Sequence, residues 1–189
     1  MALTLIGGRF RNRTIHAPKG TVTRPTSALL RKTVFDICRP YLENARFLDL
    51  FAGSGAIGLE AISQGAASAT FVDQDRNALA CIRENIQLLH LEKCSSILKG
   101  DVVITLKRLQ KEKENFDIVY IDPPYAKTAP LPLILELLDK GSLLAEGAIV
   151  FIEEGTPPLF DLQTLPLEHL AHKDSRTCGK SLLHQYHYL

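Results

Sequence analysis

Four residues with recognisable chemistry, Asp122-Pro123-Pro124-Tyr125, directly follow the apolar run Phe116–Ile121. A continuous apolar run is typical of a buried strand, and two consecutive prolines cannot stay in a sheet, so the chain must turn out at the strand's carboxyl end. Open α/β sheets place their chemistry at such ends. The carboxylate and the freed carbonyls could accept hydrogen bonds from an exocyclic amine while the Tyr125 ring stacks on the base. The alternative is an ordinary proline turn with Tyr125 packed as a core aromatic.

A glycine-rich turn follows a second apolar strand, Phe47–Phe51. It contains Gly53, Ser54 and Gly55 and opens a helix, and Asp73 stands about twenty residues later at the end of the next strand. Glycines let the backbone approach a ligand closely, and an acid at this spacing could accept both hydroxyls of a ribose. The pattern predicts a nucleoside cofactor at this end of the sheet.

Asp49, within the first of these strands, bears on which cofactor binds. A dinucleotide would bring its pyrophosphate against this loop and the helix N-terminus, where a neighbouring carboxylate would repel it. S-adenosylmethionine has no phosphate, and its ammonium group would be attracted by the acid. The alternative is that Asp49 only bonds to nearby backbone amides.

Taken together, these motifs resemble those of a class I methyltransferase, and the opening segment is similar to that of the RsmD family. This bacterial family methylates N2 of a guanine in small-subunit (16S) ribosomal RNA. The resemblance runs from about residue 3 to the last strand. Its discriminating segments are Leu5-Ile6-Gly7-Gly8, Ala17-Pro18-Lys19-Gly20 and Thr23-Arg24-Pro25-Thr26, with Arg31 and Phe35 beyond them.

The resemblance implies S-adenosylmethionine as cofactor and assigns roles to individual residues. Asp73 would bind the ribose and Asp101 the adenine amine. The methionine portion would contact residues at the end of the strand Phe47–Phe51 and in the turn after it, namely Asp49, Phe51, Gly53, Ser54 and Gly55.

The same resemblance places the target amine against the turn that follows the strand Phe116–Ile121. Asp122 and the carbonyl of Pro123 would hold the nitrogen so that its lone pair faces the methyl group, while Tyr125 stacks on a base taken out of its helix. Asp122 need not be a strong base, because the amine becomes acidic only as the new bond forms. The implied partner is small-subunit rRNA within a ribosomal particle.

Positive charge is concentrated at the start of the chain. Residues 1–40 carry +7, whereas the remainder carries −6, although the total is only +1. Arg9, Arg11 and Arg13 alternate, so an extended chain would place them on one face and a tight turn would display them outward. With Arg24, they are the candidate RNA contacts. The alternative is a solvated basic surface without a partner.

The 189 residues, of which 46% are hydrophobic, suffice for one domain with a substantial core. We expect a basic extension over residues 1–40 and a methyltransferase domain over residues 41–189. No apolar stretch approaches the length of a membrane span, and no secretory leader is evident, so we expect a cytoplasmic monomer. Cysteine and histidine spacings predict neither a disulfide nor a metal site.

Hydrophobic periodicity predicts a doubly wound, mainly parallel seven-stranded sheet. A β-hairpin over about residues 3–17 should precede a helix from Thr26, its N-cap, to Arg39. Its apolar side would comprise Leu29, Leu30, Thr33, Val34 and Ile37. Strands and helices should then alternate as Phe47–Phe51, helix to Gln64, Ser68–Asp73, Arg76–Leu89, Ser95–Lys99, helix from Asp101, Phe116–Ile121, Pro130–Lys140 and Gly147–Glu153. An antiparallel hairpin, about Leu165–His172 and Leu182–Tyr188, should end the sheet.

Three other functions remain compatible with the residues. The turn at Asp122 would serve the N6 amine of adenine in DNA equally well. The glycine pattern also fits a nicotinamide-dependent oxidoreductase, which Asp49 opposes. A non-catalytic RNA-binding factor could retain the same fold without using it.

Overall fold

The computed structural model describes residues 2–18, 27–124, 130–158 and 161–189. Its strands are β1 (Ala2–Thr4), β2 (Thr14–His16), β3 (Arg46–Leu50), β4 (Ser68–Asp73), β5 (Ser95–Lys99), β6 (Phe116–Ile121), β7 (Leu144–Gly155), β8 (Leu170–Cys178) and β9 (Ser181–Tyr188). Its α-helices are α1 (Ala28–Cys38), α2 (Ala56–Ser63), α3 (Arg76–Leu89), α4 (Val102–Lys111) and α5 (Leu131–Lys140). None of the helices in these ranges is long and apolar enough to cross a membrane.

The central sheet has seven strands in the order β5-β4-β3-β6-β7-β9-β8. The first five are parallel to one another, whereas β9 and β8 are antiparallel to the strands beside them. The predicted fold class, including both the separate N-terminal hairpin and the C-terminal one, is therefore confirmed. Crossover helices in a parallel sheet cover both faces, which requires the strands to be apolar on both sides.

Alternate residues of the strands bury two separate cores, one on each face of the sheet. Phe47, Phe71 and Phe151 pack with α1, α2 and α3, whereas Leu48 and Val119 pack with α4 and α5. The first core also includes residues of the hairpin and of α1, so the two parts of the chain share buried contacts. The division at residue 40 stays a prediction.

Helix α1 differs from its predicted form in its start and in its buried face. Its N-cap is Ser27, whose Oγ accepts the Leu30 N–H at 3.1 Å, and the predicted cap Thr26 lies outside the described residues. Leu29 is 61% exposed, whereas Arg31 is only 4% exposed. The buried set is Leu30, Arg31, Val34, Phe35 and Cys38, and it was misjudged because an apolar pattern does not anticipate a buried arginine.

The first strand of the C-terminal hairpin was placed too early in the sequence. Its register is fixed by the buried carboxylate of Asp139, which accepts the backbone N–H groups of Glu168, His169 and Leu170 at 2.7–2.9 Å. Strand β8 therefore begins only at Leu170. It forms an edge of the sheet, has a register shift between residues 172 and 174, and carries a charged segment that an apolar pattern could not reveal.

The N-terminal hairpin is held on α2 by a buried carboxylate. Glu60 is fully buried and accepts the N–H groups of Ile6 at 2.9 Å and Gly7 at 2.7 Å. Gly8 has φ +69°, and a Cβ on it would lie 1.7 Å from the Ser63 carbonyl oxygen, so only glycine fits this approach. The Gly-Gly pair of the sequence therefore marks where the hairpin backbone touches α2.

The same carboxylate is the counter-ion of the buried Arg31. The distance from Arg31 Nη1 to Glu60 Oε2 is 3.6 Å. Burial lowers the pKa of Arg31, and the charge of Glu60 opposes this effect. The Arg31 Nε and Nη1 atoms form no hydrogen bond with any described residue, so the ion pair is their principal compensation.

Replacing Glu60 with alanine should destabilise the protein by about 3–5 kcal/mol, because it leaves a buried guanidinium without its counter-ion and two backbone N–H groups without acceptors. The free energy of unfolding in urea measures the effect. Glu112→Ala is the matched control, since it removes one member of an exposed ion pair with Arg108 and should change stability by less than about 1 kcal/mol. Equal effects of the two substitutions would contradict the role assigned to Glu60.

Candidate active site

Four neighbouring parallel strands end at one edge of the sheet, and a candidate residue accompanies each of them. In spatial order these are Asp101 after β5, Asp73 at the end of β4, the Phe51–Gly55 turn after β3, and Asp122 after β6. Neighbouring strands lie about 4.8 Å apart, so the row extends over roughly 15 Å. This order equals the order of adenine, ribose, methionine and target amine that the family resemblance implies.

A cleft opens at the middle of this row, between the ends of β3 and β6 and the N-terminal hairpin. Its empty volume is about 310 Å³, including space open to solvent. The cleft is lined by Leu3, Asp49, Phe51, Ala52, Ser54, Ala56, Ile57, Tyr120 and Asp122. The structure thus brings together the predicted residues Asp49, Phe51, Ser54 and Asp122.

The turn after β3 is held in shape by a combination of positive φ angles and hydrogen bonds. Phe51, Gly53 and Gly55 have φ angles of 60°, 55° and 74°. The Gly53 N–H donates to Asp73 Oδ2 at 2.9 Å, and a Cβ on Gly55 would lie only 3.2 Å from the Ile82 side chain. The glycines therefore allow a tight turn against α3, with the backbone exposed towards the cleft.

Asp49 is 2% exposed and accepts the Gly58 N–H at 3.0 Å. Burial raises the pKa of this carboxyl to about 8; the Gly58 hydrogen bond opposes the shift and the Asp73 charge adds to it. Asp49 thus combines the two roles weighed from the sequence, because it bonds a backbone amide and also lines the cleft. A buried carboxyl group beside a second acid fits a ligand that brings a cation.

Asp73 and Asp101 are also engaged with the backbone. The second oxygen of Asp73 accepts the Asp75 N–H at 2.9 Å, and Asp101, the N-cap of α4, accepts the Ile104 N–H at 3.1 Å. Each carboxylate oxygen has two lone pairs, so these bonds leave acceptor capacity for a ligand. The row consists of carboxyl groups that accept hydrogen bonds and of backbone groups, which suits a ribose and an ammonium group and does not suit a pyrophosphate.

The turn after β6 begins where the sheet hydrogen bonding ends. The Asp122 N–H donates to the Leu50 carbonyl at 3.4 Å, and the prolines that follow have no N–H to continue the sheet. Asp122 is half-buried and Pro123 is buried, whereas Tyr125 lies outside the described residues. The backbone of Asp122 is therefore held beside the end of β3, and the residue lines the cleft.

Sequence reasoning missed a group of hydrogen-bonded side chains close to Asp122 in the chain, formed by Tyr120, Glu153 and Ser181. The Tyr120 hydroxyl donates to Glu153 Oε2 at 2.5 Å, and the Ser181 hydroxyl donates to Glu153 Oε1 at 2.7 Å. Burial and the negative charges of Glu153, Asp122 and Asp49 raise the pKa of Tyr120, so its phenol stays neutral. One indication of this group was present in the sequence. Tyr120 lies two residues before Asp122 at the end of the strand, and side chains two residues apart in an extended chain point to the same face.

Residues 3–187 match the model of the family described as Conserved hypothetical protein 95. The chain belongs to this family. It is the RsmD family that the motifs of the sequence predicted, so the resemblance is confirmed.

Named relatives of this family member cover most of the chain. It is 30% identical to the ribosomal RNA small subunit methyltransferase D of Escherichia coli K12 over 172 residues, which are 91% of this chain and 83% of the relative. It is 34% identical to YlbH of Bacillus subtilis, a protein provisionally named an rRNA methyltransferase, over 80% of this chain and 82% of the relative.

Solved structures share the whole fold of this family member. A protein from Escherichia coli, provisionally described as a methyltransferase, superposes with a TM-score of 0.83 at 28% identity and covers 100% of this chain and 98% of its own. A hypothetical protein from Thermus thermophilus superposes with a TM-score of 0.80 at 28% identity, covering 97% of this chain and 98% of its own.

The basic residues of this family member lie on the turn of the N-terminal hairpin. Arg9, Arg11 and Arg13 are all exposed, with Arg9 at the 3₁₀ turn and its guanidinium 4.7 Å from the centroid of the Phe10 ring. They do not form the strand-like stripe that was one of two expected arrangements. A turn that displays them outward was the other, whereas Arg24 lies outside the described residues.

Metal-ligating side chains are dispersed in the described part of this family member. No group of three or more His, Cys, Asp or Glu residues there could hold a metal ion. Cys38, Cys81, Cys94 and Cys178 are all free thiols.

The raised pKa of Asp49 predicts a pH dependence of stability. The folded state keeps this carboxyl protonated up to about pH 8, whereas the unfolded chain loses the proton near 3.8, so this group's contribution to stability falls as the pH rises between these values. Asp49→Asn keeps an acceptor for the Gly58 N–H and does not titrate. Unfolding in urea at pH 5 and pH 8 should show a smaller loss of stability for the variant, and parallel losses would refute the assignment.

Proposed function

We propose that this protein transfers a methyl group from S-adenosylmethionine to the exocyclic N2 amine of a guanine in small-subunit ribosomal RNA. The observation that carries this proposal is a single cleft lined both by Asp122, which directly precedes Pro123, and by Asp49 with residues of the glycine-rich turn. An amine acceptor and a nucleoside site therefore lie on adjacent strands. Membership of the RsmD family, with a relative named as a small-subunit rRNA methyltransferase, supports the substrate class.

Cofactor binding relies on residues along the edge of the sheet. Asp49, with the backbone of the Phe51–Gly55 turn, would hold the methionine portion, Asp73 the ribose and Asp101 the adenine amine. S-adenosylmethionine, when bound, supplies an electrophilic methyl group on a positively charged sulfur. The buried Asp49 favours the ammonium of such a ligand once the carboxyl loses its proton, and the absence of a phosphate avoids repulsion with the acids of the row.

Positioning of the amine is the main task of the β6 turn. An aryl amine is a weak nucleophile because its lone pair is delocalised into the ring. Hydrogen bonds from its two N–H groups to the Asp122 carboxylate and the Pro123 carbonyl would orient the nitrogen towards the methyl donor. Asp122 can accept the proton late, when the nitrogen has become acidic, so the reaction does not require a strong base.

The orientation of the RNA follows from the position of the basic hairpin. Leu3 of the hairpin lines the cleft, and the exposed arginines on the hairpin turn would bind phosphates close to it. We further propose that Tyr125 stacks on the target base and that Arg24 contributes to the RNA contact. The substrate would be a ribosomal particle rather than naked RNA, and the protein would act as a cytoplasmic monomer.

Replacing Asp122 with alanine should lower methyl transfer by at least about 10²-fold, because the amine loses its acceptor, while the affinity for S-adenosylhomocysteine changes little. The assay uses radiolabelled S-adenosylmethionine and small-subunit particles that lack the modification, followed by mapping of the labelled nucleotide. Calorimetry with S-adenosylhomocysteine measures cofactor binding. Glu112→Ala, an exposed acid next to α4, is the control for activity.

Three results of this experiment would overturn the proposal. Label on duplex DNA instead of RNA would favour the adenine-N6 reaction. Label retained when the target guanine is replaced by inosine, which has no N2 amine, would exclude that atom. Unchanged transfer by Asp122→Ala would remove the β6 turn from the chemistry.

Changing Arg9, Arg11 and Arg13 together to glutamine should weaken RNA binding for all sequences alike and should reduce its salt dependence. Each lost phosphate contact lowers the slope of log K against log salt by roughly 0.7–0.9. Binding titrations between about 50 and 200 mM salt measure this slope. Arg108→Gln, on the exposed side of α4, is the control; an unchanged slope in the triple variant would place the RNA elsewhere.

A further inference from the structure

The N-terminal hairpin forms part of the cofactor cleft as well as displaying basic residues. Leu3 lies in the lining of the cleft beside Ser54 and Ile57. The position of the hairpin therefore affects the shape of the site, and the bonds that fix the hairpin also help to fix the site.

Asn85 connects the hairpin to the glycine-rich turn directly. This α3 residue is fully buried. Its Oδ1 accepts the His16 N–H at 2.7 Å, while its Nδ2 donates to the carbonyls of His16 and Ser54, both at 3.0 Å. The His16 N–H can only donate, so the orientation of the amide is determined, and its two strong donors and its acceptor are all used.

A second connection runs in parallel through α2. This helix begins directly after Gly55, the last residue of the turn, and its Glu60 binds the Ile6 and Gly7 N–H groups of the hairpin. The segment after β1 and the end of β2 are thus both attached to helices that also determine the conformation of the turn. Order in the turn and docking of the hairpin must stabilise each other, because the same side chain, Asn85, bonds to both.

We propose that Asn85 is a positioning residue that couples the basic hairpin to the cofactor loop, so that RNA and cofactor strengthen each other's binding. This inference rests on the proposed function. Two states are involved: one with the Asn85 bonds to His16 and Ser54 formed, and one with these bonds broken while Glu60 and the apolar core still hold the hairpin. RNA binds the first state through Arg9, Arg11 and Arg13, and the cofactor binds the turn in the same state, so each ligand raises its population.

Reciprocity gives the proposal a quantitative form. If RNA raises the affinity for the cofactor by a certain factor, the cofactor must raise the affinity for RNA by the same factor. Coupling factors between sites are typically about 5–150. The amide of Asn85 is the group whose removal should bring this factor close to one without removing any group that contacts either ligand.

The test compares Asn85→Ala with Cys81→Ala, a matched control on the same helix. Cys81 donates its thiol hydrogen to the His16 carbonyl at an S···O distance of 3.3 Å, and its sulfur accepts a long bond from Asn85 Nδ2 at 3.6 Å. Its removal leaves the bonds of Asn85 to His16 and Ser54 in place. Calorimetry measures S-adenosylhomocysteine affinity with and without saturating small-subunit particles that lack the modification. For the wild type and Cys81→Ala, RNA should tighten the affinity by about tenfold. For Asn85→Ala, the factor should fall below about twofold.

Hydrogen exchange of the wild type keeps the proposal falsifiable if the Asn85 variant does not fold. Saturating S-adenosylhomocysteine should slow exchange of the Ile6 and His16 amides by about tenfold, since both belong to the hairpin. Unchanged exchange, or full coupling in Asn85→Ala, would overturn the coupling while methyl transfer by the wild type kept the proposed function intact. Failure of the wild type both to bind the probe and to methylate RNA would overturn both proposals.

Discussion

The arrangement depends on buried and half-buried carboxylates that accept backbone N–H groups from other segments of the chain. Glu60 holds the hairpin and pairs with Arg31, Asp49 and Asp73 shape the glycine-rich turn, and Asp139 sets the start of β8. An acceptor removed from water is costly to leave without a donor, whether or not it carries a charge. Each of these acids therefore fixes one chain segment on another with little freedom.

The acids around the cleft serve the fold and the site together. Asp49 and Asp73 each bind an N–H of the segment that a ligand must approach, so the turn is organised before any ligand arrives. Such preorganisation lowers the entropic cost of binding. The same carboxyl groups also repel one another when they are ionised. The charge of Asp73 therefore adds to the effect of burial in raising the pKa of Asp49. A cationic ligand relieves that repulsion.

Local patterns predicted the sheet, the order of its elements and the glycine-rich turn, because strand periodicity and turn chemistry depend on neighbouring residues. They did not predict Glu60, Asn85 or the inward-facing Arg31, whose partners are far away in sequence: Asn85 bonds to His16 across 69 positions. The hydrogen bond from Tyr120 to Glu153 joins residues 33 positions apart. The start of β8 failed for the same reason, since it is determined by Asp139 rather than by its own composition.

Strand β8 has a consequence for self-association, because it lies at an edge of the sheet. An edge strand offers unpaired N–H and C=O groups to any other strand, and proteins prevent such pairing with charges and bulges. Here the register shift near Lys173 and the charged side chains of Asp174 and Arg176 interrupt an edge that would otherwise be flat and available for strand pairing. Self-association by strand addition at this edge is thereby discouraged.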